Sequence, residues 1–427
     1  MKNILKHNLL FLILILGLLT KIVYILFINN KFLVYPDAFD YDRVAMSLLK
    51  EHRFPIVQTA PFFRAPFYPI FLFVLYLISP QNYLLVKIMQ AILMTITAYF
   101  IFKVAKNIFS TEVALVSSGI FSFHPFFIII CSSLLTESLF LFLATSALYL
   151  LLKFAKSKRR FLLCLCGIIS GIAILTKATF LIFLFISILW LFILRRDLKF
   201  VFQSASILFF SCFLVLTPWV IRNYKVFHEF IYCNDAGGWS FWVTNSPEYY
   251  ELLTTKDPKR ISCLGRDIVL DKANKQIAEF EKNYDYKNLT PKLREKLWYN
   301  SAFVYIKNNN VQWVKLLFLK AWEYLKPYLD PKYYPQKYVL ATLFLNGIIF
   351  ILGTIGLFLA LRVRETQKAA LLFILYFSAS IIAHVFYATN NRYRIVFIDP
   401  YLYIFTAYAF IGLMKRFRIT FFSNRRV

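Results

Sequence analysis

Residues 8–28 read NLLFLILILGLLTKIVYILFI, and residues 35–49, just downstream, read YPDAFDYDRVAMSLL. The first stretch matches the ~20 apolar residues that a helix needs to cross a hydrocarbon core. The second is acidic and amphipathic. It therefore belongs at the membrane edge, and its Asp37, Asp40 and Asp42 stand just outside the first span. A signal peptide also begins with basic residues and an apolar core. Here the core is too long and has no small-residue cleavage site, so 8–28 reads as a retained helix.

The rest of the chain follows the same rule. Of its 427 residues, 59% are apolar and only 17% charged, with a mean hydropathy of +0.61. Apolar runs of near-spanning length recur, and the strict alternation of a barrel strand is missing, so the class is an all-α polytopic membrane protein. The net charge of +27 fits the excess of Lys and Arg in cytoplasmic loops better than nucleic-acid binding. The basic clusters are Lys103/Lys106, Lys153–Arg160, Arg195/Arg196/Lys199, Arg362/Arg364/Lys368 and Lys415–Arg418 with Arg425/Arg426. Placing them all inside, with the N-terminus, gives spans at 8–28, 83–105, 111–128, 138–154, 161–176, 178–194, 200–219, 338–361, 369–388 and 395–414. That is about ten helices with both termini in the cytoplasm.

Residues 66–79, PFYPIFLFVLYLIS, are too short to span and read as a helix along the outer surface. Tyr41, Val44, Ala45, Leu48 and Leu49 repeat as an amphipathic stripe, so a second surface helix is expected, with its apolar side on lipid headgroups. Asp42 and Arg43 lie elsewhere on its circumference. Asp40 and Asp42 read as solvated charges, Asp40 with Arg43 as its i,i+3 partner. The expected organisation is a transmembrane module at 1–219 that includes an outer loop at 29–82, an extracytoplasmic loop region at 220–337, and C-terminal helices at 338–427.

Each candidate site residue has a structural reading beside the chemical one. Asp37 follows Pro36 at a helix start, where Asp is a favoured cap. Glu137, in LLTESLF, falls in a first helical turn, where an acid suits the dipole. A carboxylate at a membrane boundary is nevertheless costly and points to function. Arg64, Lys177, Arg222, Arg392 and Arg394 all sit at outer ends of apolar runs. Any single one reads as snorkelling to the interface. As a set, on the face where Lys and Arg should be scarce, they suit a phosphate at the bilayer surface. There is no Walker loop, GxGxxG, HExxH or Gly-x-Ser-x-Gly. The histidines are scattered, and the cysteines show no metal spacing. Cys233 and Cys263 fall in one outer segment, where they either pair or remain free.

The order of motifs resembles the bacterial GT-C glycosyltransferases, the superfamily that includes protein O-mannosyltransferases and the lipid A aminoarabinose transferase. The resemblance rests on PDAFDY (36–41), RAPFYPIFL (64–72), LLTESLFLFL (134–143), GIISGIAILTKATFLIFL (167–184), LTPWVIRNY (216–224), GGWSFWVTNSP (237–247) and NNRYRIVFIDP (390–400). It implies a GT-C fold, an outer-face active site, a polyprenyl-phosphate sugar donor, and catalytic acids at Asp37 and Glu137. Asp40, Tyr41 and Tyr68 are further candidates. The protein-mannosylating branch often has paired acids where this chain has Asp37-Ala38, a departure that argues against a protein acceptor. The acceptor is left open among lipid, glycan and protein. No cofactor is implied with certainty; a divalent metal, if one is used, would fall to Asp37 and Glu137. The alternatives are a lipid-linked saccharide polymerase or ligase, and a polytopic flippase or transporter. The last would need charges buried within its spans.

Overall fold

The computed structural model describes residues 2–28, 36–55, 63–255, 267–329, 331, 335–387, 389 and 391–423. Among these residues there are helices and no strands. In chain order they are α1 (Lys2–Val23, continued by a π turn Tyr24–Ile28), α2 (Pro36–Glu51), α3 (Phe67–Ile78), α4 (Tyr83–Ile108), α5 (Thr111–Phe123), α6 (Pro125–Ile130), α7 (Glu137–Ser157), α8 (Arg160–Thr176), α9 (Leu181–Arg195) and α10 (Leu198–Phe227). Then come α11 (Gly237–Thr244), α12 (Pro247–Thr254), α13 (Asp267–Glu281), α14 (Pro291–Asn308), α15 (Asn310–Leu325), α16 (Gln336–Arg362), α17 (Arg364–Phe386), α18 (Asn391–Phe397) and α19 (Asp399–Ser423).

Among the described residues, 7 helices are long and apolar enough to cross a membrane: Asn8–Phe27, Tyr83–Ile108, Glu137–Ser157, Ala178–Arg195, Leu198–Phe227, Gln336–Arg362 and Arg364–Phe386. Phe67–Ile78, Thr111–Phe123 and Arg160–Thr176 are apolar but shorter. The expected span 111–128 is broken at His124. Pro125 starts a new helix there, and the His124 ring accepts the Phe126 N–H at 3.3 Å. The expected span 395–414 likewise resolves into α18 and α19, because Pro400 has no N–H and fits only the first turn of a helix.

The bundle is held at close quarters where the sequence supplies small residues. A Cβ on Gly167 would stand 2.6 Å from the Leu208 carbonyl, and one on Gly356 2.0 Å from that of Phe405. Glycine therefore lets α8 lie against α10 and α16 against α19, the device expected where lipid supplies no hydrophobic drive between helices. Thr406 adds a hydrogen bond to the Ile349 carbonyl at 2.9 Å. Buried lysines lie within two of these spans, Lys21 and Lys87, and Lys21 donates to the carbonyls of Gly17 (3.1 Å) and Ser122 (2.9 Å).

Two expectations for α2 are corrected. Its stripe does not rest on headgroups. Tyr41, Val44 and Ala45 are buried in protein, and α2 packs on α3, with Tyr41 edge-on to Tyr68 at 5.0 Å. Nor is Asp42 solvated. It is buried and accepts hydrogen bonds from Tyr76 (2.6 Å), Tyr83 (3.0 Å) and Gln81 (3.1 Å). The physical reason is the same for both: α3 lies beside α2, offering an apolar face to one side of it and phenols to the other.

Phe241, Trp242, Phe280, Tyr286, Trp298 and Ala302 form a small core of their own. Trp298 is surrounded by Trp242, Trp239 and Phe280, at ring separations of 4.6, 4.9 and 5.0 Å, and its indole N–H donates to Tyr286. Cys233 is buried and its thiol donates to the Ile174 carbonyl at 3.1 Å; Cys263 lies outside the described residues.

Candidate active site

Asp37 occupies the first turn of α2, inside the helix rather than at its cap. Its carboxylate is clamped between two guanidiniums, Arg64 at 3.0 Å and Arg392 at 3.1 Å. Arg64 comes from the short link before α3. The same Arg64 nitrogen also reaches Asp40 at 2.6 Å. The expected Asp40–Arg43 contact exists at 3.7 Å but is the longer of the two. The Tyr41 ring lies 5.5 Å from the Arg64 guanidinium. Behind it, the buried Tyr68 donates to Gln90 at 2.9 Å, so Tyr68 supports the site from beneath.

Glu137 opens α7 and is fully buried. It pairs with Lys177 at 3.3 Å and with the same Arg392 at 3.3 Å. Lys177 follows α8 in extended backbone, just before a tight turn at Ala178–Phe180, and that bend turns its ammonium inward. Its ammonium also lies over the Tyr393 ring at 5.3 Å. Arg392 thus joins Asp37 to Glu137, across 100 residues of sequence separation. A first-turn carboxylate is also favoured by the helix dipole, which applies to both acids.

The electrostatics of Asp37 follow from this geometry. Burial alone would raise its pKa, but the charges of Arg64 and Arg392, with a contribution from Lys177, outweigh burial and hold it below the usual carboxylate range. The cluster sets the carboxyl groups of Asp37, Asp40 and Glu137 against the side chains of Arg64, Lys177 and Arg392. Acids and bases pair one for one, so any further anion would have to compete with the carboxylates for these side chains.

The remaining predicted cations are placed elsewhere. Arg222 sits on aromatic rings, Trp219 at 5.0 Å, Phe227 at 5.4 Å and Phe54 at 5.9 Å, and donates to Asn223. Arg394 is sealed in protein and paired bidentately with Asp399 through its Nε and Nη2, each at 3.1 Å. It also donates to the carbonyls of Leu325 and Lys326, where it closes the C-terminus of α15. Among the described residues no group of three or more His, Cys, Asp or Glu side chains is placed to hold a metal ion. The Asp37–Glu137 pair does not fit one as arranged, since Arg392 occupies the position between them that a bridging divalent ion would take.

Sequence reading misjudged one supporting residue and missed two. Asp42 locks the back of α2, Tyr393 lies beside Lys177 and Arg392, and Asp235 accepts the Phe63 N–H at 2.6 Å, next to Arg64. Tyr393 was visible within NNRYR. Asp42 was noticed but read as solvated, and Asp235 was not noticed, because their partners are far away in sequence.

Residues 63–221 match the family described as dolichyl-phosphate-mannose-protein mannosyltransferase. The match begins after Asp37 and so does not test that residue. Two solved structures of the archaeal oligosaccharyltransferase from Archaeoglobus fulgidus superpose along the chain. AglB in complex with an inhibitory peptide and a dolichol-phosphate has a TM-score of 0.58 at 12% identity, covering 98% of this chain and 52% of that one. The apo form gives 0.59 at 14% identity, with the same coverage. This chain therefore spans about half the length of those proteins. ArnT from Cupriavidus metallidurans bound to undecaprenyl phosphate overlaps at 0.44 and 13% identity, covering 93% of this chain and 77% of that one, a likeness too loose to argue from. No curated protein matches. The superposition shows the fold: this chain is a polytopic helical membrane protein with the GT-C fold, and over residues 63–221 it is similar to the mannosyltransferase family.

Proposed function

We propose that the protein moves a sugar from a polyprenyl-phosphate donor to an acceptor hydroxyl at the outer face of the cytoplasmic membrane. The observation that carries this reading is the single Arg392 guanidinium shared by Asp37 and Glu137, with Arg64 and Lys177 flanking it. The cluster gathers at the ends of α7 and α8 opposite the basic segment Lys153–Arg160, which under the positive-inside rule supports an outer-face site.

The chemistry follows from a competition between anions. A lipid phosphate drawn onto Arg64, Lys177 and Arg392 takes the place of the carboxylates as their partner. The freed Asp37 then loses the charges that depress its pKa and becomes a better base. Its carboxylate takes the proton of the acceptor hydroxyl as that oxygen attacks the anomeric carbon. The bond from that carbon to the phosphate oxygen breaks, and the electron pair leaves with the phosphate. The cations stabilise the charge growing there. Direct displacement inverts the anomeric centre. In this scheme Glu137 keeps Lys177 and Arg392 in register. The loop region 220–337 would select the acceptor, and Asp37 followed by Ala38 rather than by a second acid favours a lipid or glycan over a protein.

The test is purified protein in liposomes with polyprenyl-phosphate sugars. Release of polyprenyl phosphate, undiminished by excess chelator, is the expected result. Movement of the lipid between leaflets without cleavage would assign a flippase instead.

A further inference from the structure

Sequence reading places the whole of 220–337 in the external aqueous phase, yet the C-terminal half of α15 is bonded to the sides of two spans. Lys320 donates to the Phe386 carbonyl at 3.2 Å, at the very end of α17. One turn later the Tyr324 hydroxyl meets Ser380 at 2.8 Å. Beyond the helix, the Pro327 carbonyl accepts from Asn346 on α16 at 2.8 Å, and the Leu329 N–H donates to Thr342 at 3.1 Å. The chain goes down along the spans and then turns back up.

Two rulers give the depth. Arg362 and Arg364 mark the far boundary of the hydrocarbon, because charged side chains are excluded from it. Asn346 lies about 24 Å along α16 from Arg362 at 1.5 Å per residue, and Ser380 about 24 Å along α17 from Arg364. Against a core about 30 Å thick, both stand roughly 6 Å below the near boundary. Thr342 and Phe386 fall close to the boundary itself. The rulers agree although they belong to different helices.

The outward face of α15 suits that depth. Val311, Val314, Phe318 and Trp322 are all exposed and follow one another at helical spacing. Phe318 is 74% exposed. The charges on the deep half are turned inward or neutralised: Lys320 is buried, and Glu323 pairs with Lys326 at 2.7 Å. The exposed residues Tyr338, Leu340, Leu343 and Phe344 of α16 begin at the same level, so the stripe lies at the level where that lipid-facing surface starts.

We propose that α15 is a tilted interfacial helix whose Phe318–Trp322 end is immersed in the acyl chains of the leaflet on the active-site side. Its occupant is lipid, in the way that amphipathic helices bury one face at the headgroup boundary. The helix touches the site through two routes. Tyr324 stacks on His384 at 5.3 Å, and His384 in turn lies tilted against Tyr393 at 5.0 Å. Arg394, two residues after Arg392, closes the end of α15. A lipid-borne helix therefore steadies the segment that carries Arg392.

The test uses full-length protein in lipid nanodiscs, with its native cysteines replaced and a single spin label at 311, 314, 318 or 322, or at 293 as an aqueous control on α14. Oxygen, which partitions into lipid, should relax the labels at 318 and 322 more than a water-soluble nickel chelate does. The ratio should fall towards 311 and reverse at 293. Nickel access at 318 and 322 equal to that at 293 would overturn the proposal. So would protection from both reagents, which would mean that protein covers the stripe.

Discussion

Arg392 and Arg394 are two residues apart in one short helix, and the structure gives them opposite work. Arg392 faces a cluster that still has access to solvent, its side chain 19% exposed, and divides itself between Asp37 and Glu137. Arg394, 1% exposed, faces a sealed one and spends its donors on Asp399 and two helix-terminal carbonyls. Both are buried-looking cations in the same motif. What separates them is whether their partners already satisfy them. Arg394 has a bidentate acid and capped carbonyls, and so has nothing left to offer a ligand. Arg392 shares its charge between acids that come from distant helices, and such a balance can be tipped by a third anion.

That contrast sets the expected results, the largest first. Asp37→Asn keeps the shape of the clamp and removes the base, so turnover should fall ~10²–10⁴-fold, the usual worth of general base catalysis. Size-exclusion behaviour should stay normal. Turnover close to wild type would reduce Asp37 to a first-turn charge. Next come the arginines themselves. Arg394→Ala strands Asp399 in a sealed site and should lower stability by about 3–5 kcal/mol, read as lost thermal stability in detergent. Arg392→Ala should weaken binding of the sugar donor with a smaller stability loss, because Asp37 keeps Arg64 and Glu137 keeps Lys177. If both variants lose stability alike, the contrast collapses. The smallest effect is expected for Arg222→Ala. Its contacts are aromatic rings and Asn223, so affinity for the polyprenyl phosphate should change by less than the arginines of the cluster change it. A loss as large as that of Arg392→Ala would place a second phosphate contact beside Trp219.

The fold was legible because membrane rules are coarse and strict. Runs of length 20 and clusters of Lys and Arg located α1, α4, α7 and the long spans after them without any knowledge of packing. Sequence also marked Asp37, Glu137, Lys177, Arg64 and Arg392, each by its place at a span end. It could not separate Arg222 and Arg394 from that group, since snorkelling, capping and ligand binding all put a cation in the same linear position. It misjudged α2, where the stripe Tyr41–Val44–Ala45 was assigned to lipid. An amphipathic pattern reports that one face is covered, and here the cover is α3. Asp42 was misread for the same reason, because the phenols of Tyr76 and Tyr83 that hold it become neighbours only after α3 and α4 are in place.

The length of α8 has a consequence of its own. Its 17 residues rise about 26 Å, short of a hydrocarbon core of about 30 Å, so Lys177 ends a few ångströms beneath the headgroup plane. Dissolved salt shields charges in bulk water within about 8 Å at physiological ionic strength but penetrates such a recess poorly. The contact of Lys177 with Glu137 is thereby insulated from the ionic strength of the bulk, whereas the exposed Lys6–Glu112 contact has no such shelter.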